Sequence, residues 1–178
     1  MTTLSGERVT LRPVRREDHP DILRWQNDPE VAWWMDYERT FTLEDIHESE
    51  ENARREGHPF LIEMADERGI GRIGLNGFSE RDRTCSLYVF IGERDVWSMG
   101  YGTDAMRLLL AWGFETFDLY LAQLWSLATN ARAIRAYEKV GFRIDGVLRE
   151  RSLKSDGKRY DRTYMSITHA EFADTVAP

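Results

Sequence analysis

The chain has 178 residues, 42% hydrophobic and 12% aromatic, which suits one domain with a substantial core and is too apolar for a disordered chain. A formal net charge of −7 argues against a nucleic-acid partner, which normally meets a basic surface. No run of about eighteen apolar residues offers a membrane span, the start MTTLSGERVTLRPVRRED lacks a signal-like apolar stretch, and the lone Cys85 permits no internal disulfide, so the cytoplasm is the expected compartment.

In chain order, Val9 to Pro13 alternates like a short strand. Glu17 to Trp25 suits a helix that stops before Asn27-Asp28-Pro29. Thr42 is a good N-cap, followed by Glu44 and Asp45 where the helix dipole favours acids, so a second helix is expected from Leu43 to Glu56. Gly57-His58-Pro59 reads as its stop. Phe60 to Met64, Gly69 to Gly77 and Thr84 to Ile91 read as an antiparallel meander. Cys85 falls in the last of these and reads as a small core residue. A third helix opens near Tyr101, with Ala105, Leu108, Leu109 and Trp112 on one face. Leu119 to Leu127 is the next strand, Ala131 to Val140 a fourth helix closed by Gly141, and Phe142 to Leu153 with Lys158 to Ile167 a hairpin. The pattern predicts an α/β (α+β mixed) domain over residues 1–178, with helices on both faces of a largely antiparallel sheet of about seven strands.

Two segments carry chemistry. Met99-Gly100-Tyr101-Gly102-Thr103 opens the third helix. Helix starts present unpaired N–H groups and partial positive charge, and glycines let a ligand approach closely, so a pyrophosphate fits physically. A turn shaped by glycines alone fits equally well. The segment also matches G-x-G-x-x-A, but the preceding strand ends about nine residues too early and no acid closes the next strand, so a nicotinamide cofactor is disfavoured. The second segment is Asn130-Ala131-Arg132-Ala133-Ile134-Arg135-Ala136-Tyr137-Glu138-Lys139-Val140-Gly141-Phe142.

With both segments in this order and at this separation, the chain resembles the GNAT superfamily of acyltransferases, in the branch of ribosomal-protein N-terminal acetyltransferases and spermidine acetyltransferases. The resemblance covers nearly the whole chain and implies a GNAT-like sheet. It implies acetyl-CoA as cosubstrate, with no metal. It implies that backbone groups of Phe90, Ile91 and Gly92 pair with the pantetheine arm, and that Met99 to Thr103 hold the pyrophosphate. Asn130 would contact the pantetheine, Ala133 and Ile134 would line its path, and Tyr137 would be the general acid. Two departures stand out: Trp97 replaces the frequent Arg or Gln three residues before the first loop glycine, and the strand TCSLYVFI holds no acid where many relatives carry a glutamate base. Glu80 and Asp82, just before that strand, are possible outlets for the proton.

A lysine-like amine is neutral in only roughly one molecule in 2,500 near pH 7, a penalty of about 4.6 kcal/mol that a base can offset in part. Proton transfer from an ordinary tyrosine to a thiolate is uphill by about 2 kcal/mol. Asp36 to Glu56 contains eight acids and three bases and follows the pair Trp33-Trp34. The family's acceptor side lies in this region, so Trp33, Trp34 and Asp36 are candidate acceptor-binding residues. The expected acceptor is a small cationic amine of polyamine or aminoglycoside type. A protein α-amine and a non-catalytic CoA-binding module are the alternatives, and a solvated helix face explains the acids equally well. His19, His47, His58 and His169 have no metal-site spacing. Six tryptophans and the apolar run Tyr160 to Ile167 are compatible with homodimer contacts and equally with core packing.

Overall fold

The computed structural model describes residues 2–176. The strands are β1 (Leu4–Ser5), β2 (Val9–Pro13), β3 (Gly57–Met64), β4 (Gly69–Ser79), β5 (Thr84–Ile91), β6 (Leu121–Leu127), β7 (Arg143–Leu153) and β8 (Arg159–Thr168). The helices are α1 (His19–Gln26), α2 (Pro29–Met35), α3 (Leu43–Glu56), α4 (Tyr101–Phe117), α5 (Ala131–Val140) and α6 (His169–Val176). All eight strands form one sheet in the order β1-β2-β3-β4-β5-β6-β8-β7. Every neighbouring pair is antiparallel except β5 with β6.

Two apolar clusters fill the two faces. Val14, Ile22, Trp25, Val31, Ile46, Leu61 and Phe90 pack beneath α1, α2 and α3. The larger cluster joins Ile73, Leu75 and Leu87 to Ala105, Leu109 and Phe114 of α4 and Phe172 of α6. The expected stripe on α4 is rotated slightly. Ala105, Met106, Leu109, Leu110 and Phe114 are buried, whereas Leu108 and Trp112 pack at the rim.

Three elements go beyond the sequence reading: β1, α2 and α6. Asn27-Asp28-Pro29 does end α1, but Asp28 then caps α2 by accepting from the N–H groups of Glu30 and Val31, with Pro29 at the first helical position. Gly57-His58-Pro59 belongs to β3. β2 reaches only to Phe60 along β3, so on that side Pro59 owes no ladder donor. The apolar residues Met165 and Ile167 of β8 are core. β7 is an edge strand, and its Ile144, Val147 and Leu148 are about half exposed. No helix among the described residues is long and apolar enough to cross a membrane.

Cys85 is fully buried, and burial pushes its thiol up to about 12. Thiolate is the reactive form. The native chain is therefore expected to leave an aromatic disulfide reagent unreacted, whereas the denatured chain releases one equivalent; prompt native reaction would place the thiol outside the core.

Candidate functional site

The site follows from where two strands part. β5 pairs with β6 only over Thr84–Ser86 against Leu121–Gln123. Beyond that point β5 follows β4 and β6 follows β8 along their full lengths. A cavity of about 390 Å³ fills the resulting wedge. Its strand walls are Leu87 to Ile91 and Leu124 to Ser126, α4 supplies Gly102, Thr103 and Met106, Asn130 with Arg132, Ala133, Arg135, Ala136, Tyr137 and Lys139 of α5 forms a further wall, and α2 closes the far end with Val31, Trp34 and Met35.

The wedge exposes a strand edge. The Gly92 N–H donates to the Ile70 carbonyl at 2.8 Å, and Arg72 lies opposite Phe90. Alternation along an antiparallel ladder then turns the backbone groups of Tyr88, Phe90 and Gly92 toward β4, and those of Leu87, Val89 and Ile91 toward the wedge. Of Phe90, Ile91 and Gly92, the backbone of Ile91 alone faces the cavity, and Val89 joins it. The Phe90 side chain is core, set edge-on to Trp25 at 6.4 Å. Gly92 is glycine for space, since a Cβ there would run into the Trp25 ring. The Ile91 carbonyl already accepts from the Trp97 indole N–H at 2.8 Å.

At the mouth, Gly100 caps α4 at φ 91, with no side chain bonded to the first-turn N–H groups. A Cβ on Gly102 would find only Ile91, at 3.7 Å, so that wall is open. Arg8 braces the turn from outside, donating to the Met99 carbonyl at 2.9 Å and to Asp104 at 3.1 Å. Gly100, Tyr101, Gly102 and Thr103 line the cavity, whereas Met99 is 54% exposed and stands outside it.

Asn130 is buried at the cap of α5, where its Oδ1 accepts from the Ala133 N–H at 3.2 Å. Ala133 lines the cavity, and Ile134 turns away to pack on the core. Tyr137 is buried and lines the cavity two turns along, and burial pushes its hydroxyl up to about 12 against the opposing charge of Arg132. Arg132, Arg135 and Lys139, which no sequence motif singles out, line the same wall at helical spacing. No carboxylate lines the cavity, and none pairs with these three cations among the described residues. Arg132 instead stacks 3.6 Å above the Trp97 ring. An unopposed cationic stripe facing an uncapped helix start fits a polyanion such as the CoA phosphates.

The acceptor candidates separate. Trp34 lines the cavity beside Met35, Tyr88 and Trp125. Trp33 and Asp36 lie outside it, at the junction of α2 with the β7–β8 hairpin. Asp36 accepts from Lys154 and Ser152 at 3.0 Å and from Arg162 at 2.6 Å. Trp33 sits edge-on to Tyr160 and carries the Lys154 ammonium 4.9 Å from its ring. The other acids of the region are also spent or solvated. Glu38 pairs with Lys154, Asp45 caps α3, Glu50 is buried against Arg72, and Glu44, Glu48, Glu51 and Glu56 face solvent.

Residues 8–143 match the family model described as acetyltransferase (GNAT) domain. The chain is 28% identical over 147 residues to the spermidine N(1)-acetyltransferase of Escherichia coli K12, covering 81% of this chain and 77% of that one. It is 25% identical over 181 residues to the N-acetyltransferase p20 of Bacillus licheniformis, covering 97% and 99%. The fold is similar to the crystal structure of Vibrio cholerae spermidine N-acetyltransferase in complex with CoA and spermine, with a TM-score of 0.85, 21% identity and 92% and 97% coverage. It is also similar to Mycobacterium smegmatis RimJ in complex with CoA-disulfide, with a TM-score of 0.81, 21% identity and 96% and 88% coverage.

Proposed function

Since the chain belongs to the GNAT acetyltransferases and is an acetyl-CoA-dependent N-acetyltransferase, we propose that residues 1–178 act as one such domain on the α-amine of a peptide or protein N-terminus, with Tyr137 protonating the departing thiolate. Acetyl-CoA supplies the activated acetyl group. The open edge at Val89 and Ile91 offers strand-like bonds to the pantetheine amides. The start of α4, with Arg132, Arg135 and Lys139, holds the phosphates. Asn130 and Tyr137 flank the thioester end.

The observation that carries the acceptor reading is that, among the described residues, no carboxylate lines the cavity wall. Trp34, Tyr88 and Trp125 line the acceptor end. Their ring faces offer a cation about 0.5–2 kcal/mol each, which does not replace carboxylates for a multiply charged polyamine. An α-amine, with reference pKa 7.7–8.0, is already neutral in about one molecule in seven at pH 7. Its deprotonation penalty is then about 1 kcal/mol, against about 4.6 kcal/mol for a lysine-like amine. A wall without acids therefore suits the less basic amine.

The test is CoA-thiol release at pH 7 with short peptides bearing free N-termini, the same peptides N-terminally blocked but carrying lysine, spermidine, spermine and an aminoglycoside. We expect kcat/KM for the free α-amine to exceed the others at least tenfold, within the roughly 350-fold difference in neutral fraction. Turnover confined to the polycations would overturn this acceptor and return weight to the acidic region.

A further inference from the structure

Arg8 stands in the turn between β1 and β2, where the Gly6 N–H donates to the Val9 carbonyl at 2.9 Å. A Cβ on Gly6 would meet the Leu108 side chain at 3.2 Å, so the turn lies close along α4. Val9 anchors it, buried in the cluster that α4 covers. Arg8 is thereby carried to the start of α4, to partners 91 and 96 residues on. Its Nη2 donates to the Met99 carbonyl at 2.9 Å and its Nη1 to the Asp104 carboxylate at 3.1 Å. The guanidinium carbon lies 4.5 Å from the Tyr101 ring centroid, and a Cβ on Gly100 would come within 2.9 Å of Nη1. Arg8 itself stands outside the cavity. Half-exposed ion pairs contribute little to stability, so stability is a poor account of three contacts converging on one turn.

The turn needs an outside hold. Ser98 is a non-glycine residue at φ 65, and Gly100 follows at φ 91. Left-handed backbone on a non-glycine residue persists only where its surroundings fix it. Between the two, Arg8 ties down the Met99 carbonyl. A trans peptide sets its C=O and the next N–H in opposite directions, so this bond turns the Gly100 N–H away from Arg8. The N–H groups of Gly100, Tyr101, Gly102 and Thr103 find no acceptor in the protein among the described residues. Asp104 lies in the same first turn. Its carboxylate would repel an anion there, and Arg8 offsets that charge.

We propose that Arg8 is a positioning residue for the pyrophosphate of acetyl-CoA. It touches no part of the cosubstrate. It holds the Met99 carbonyl away from the phosphates, leaves the N–H groups of the turn free to meet them, and cancels the Asp104 charge beside them. The inference rests on the reading that the phosphates meet the start of α4, and it does not depend on which amine is the acceptor.

The test compares the unmodified chain with Arg8→Met and Arg8→Lys. Quenching of tryptophan fluorescence gives Kd for CoA and for dephospho-CoA, which keeps the pyrophosphate but lacks the 3′-phosphate. Thiol release gives kcat with acetyl-CoA and kcat/KM with S-acetylpantetheine, which carries no phosphate, using the best amine of the panel above. A hydrogen bond to a charged group is worth about tenfold or more. Arg8→Met should therefore weaken CoA and dephospho-CoA alike by about tenfold, and change kcat and the use of S-acetylpantetheine by less than about twofold. Arg8→Lys should fall between, since a point charge still faces Asp104 but cannot hold both acceptors in one planar fork. Adding Asp104→Asn to Arg8→Met should recover part of the loss. An equal loss with S-acetylpantetheine would make Arg8 a general structural brace. A loss confined to CoA would put Arg8 on the 3′-phosphate, and no loss with either would show that the turn holds itself; each overturns the proposal. Equal use of acetyl-CoA and S-acetylpantetheine by the unmodified chain would overturn the pyrophosphate reading and this inference with it. A preference for the phosphate-bearing thioester that survives Arg8→Met overturns this inference alone.

Discussion

Tyr137→Phe is expected to lower kcat by about 10²–10⁴-fold, the usual worth of a general acid, and to leave acetyl-CoA affinity within about twofold. The substitution keeps the ring, which is buried and packs against Phe142 at a centroid distance of 6.2 Å. It removes a hydroxyl that no protein group bonds among the described residues, so no partner is stranded. Burial makes the acid harder to use. From about 12, donation to a thiolate of reference pKa about 8.5 is uphill by roughly 5 kcal/mol if the two steps are separated. Coupling to cleavage of the thioester offsets this. The charge of Arg132, which favours the tyrosinate, is already included in the value of about 12. The sign for pH follows: a tyrosine raised this far stays protonated throughout the stable range, so an alkaline fall in kcat belongs to another group. Thiol release gives kcat, and quenching of tryptophan fluorescence, with Trp97 at the mouth, gives affinity. Unchanged turnover in Tyr137→Phe would remove it from the chemistry.

How much of this was legible in the chain depends on the range of the interaction involved. α4 and α5 were readable because their caps and apolar stripes lie within a few residues of one another, and Gly100, Asn130 and Tyr137 came with them. α2 was hidden because one tripeptide, Asn27-Asp28-Pro29, both ends a helix and starts the next. Which backbone groups of Phe90, Ile91 and Gly92 face the wedge was not legible, since strand register decides it. Arg132, Arg135 and Lys139 were visible at helical spacing, but nothing local showed that they would face a cavity. The acids of residues 36–56 were open to two readings, an acceptor-binding set or a solvated helix face, and no local signal separated them. Composition counts charges, whereas their partners are distant in sequence: Arg72 for Glu50, and Lys154, 118 residues on, for Asp36.

That last pair gives the largest expected change in stability. Asp36→Ala is expected to destabilise the fold by about 3–5 kcal/mol, the usual result of breaking a buried pair, which lowers Tm on the order of 10 °C for a domain of this size. The Lys154 side chain is wholly buried, held by Asp36 at 3.0 Å and Glu38 at 2.8 Å. Without Asp36 it keeps one carboxylate, and Arg162 and Ser152 lose their shared acceptor. Adding Lys154→Met should recover part of the loss, because it removes the stranded charge. Burial pushes the Asp36 carboxyl up, but bonds from Lys154, Ser152 and Arg162 outweigh it and leave it below its ordinary value. A depressed carboxyl stabilises above its unfolded pKa, about 3.9, and the contribution fades as pH falls through the folded value. The Tm gap between the two chains should therefore be constant above about pH 5 and narrow below about pH 4. Asp36 also ends α2, which carries Trp34 and Met35 into the cavity, and its partner Arg162 stacks 3.8 Å over Trp125 on the opposite wall. Through these contacts Asp36 braces two walls of the cavity from outside it. Asp36→Ala should accordingly raise KM for the amine and leave KM for acetyl-CoA alone; a rise in the acetyl-CoA value instead would place the junction's influence at the cofactor end of the wedge.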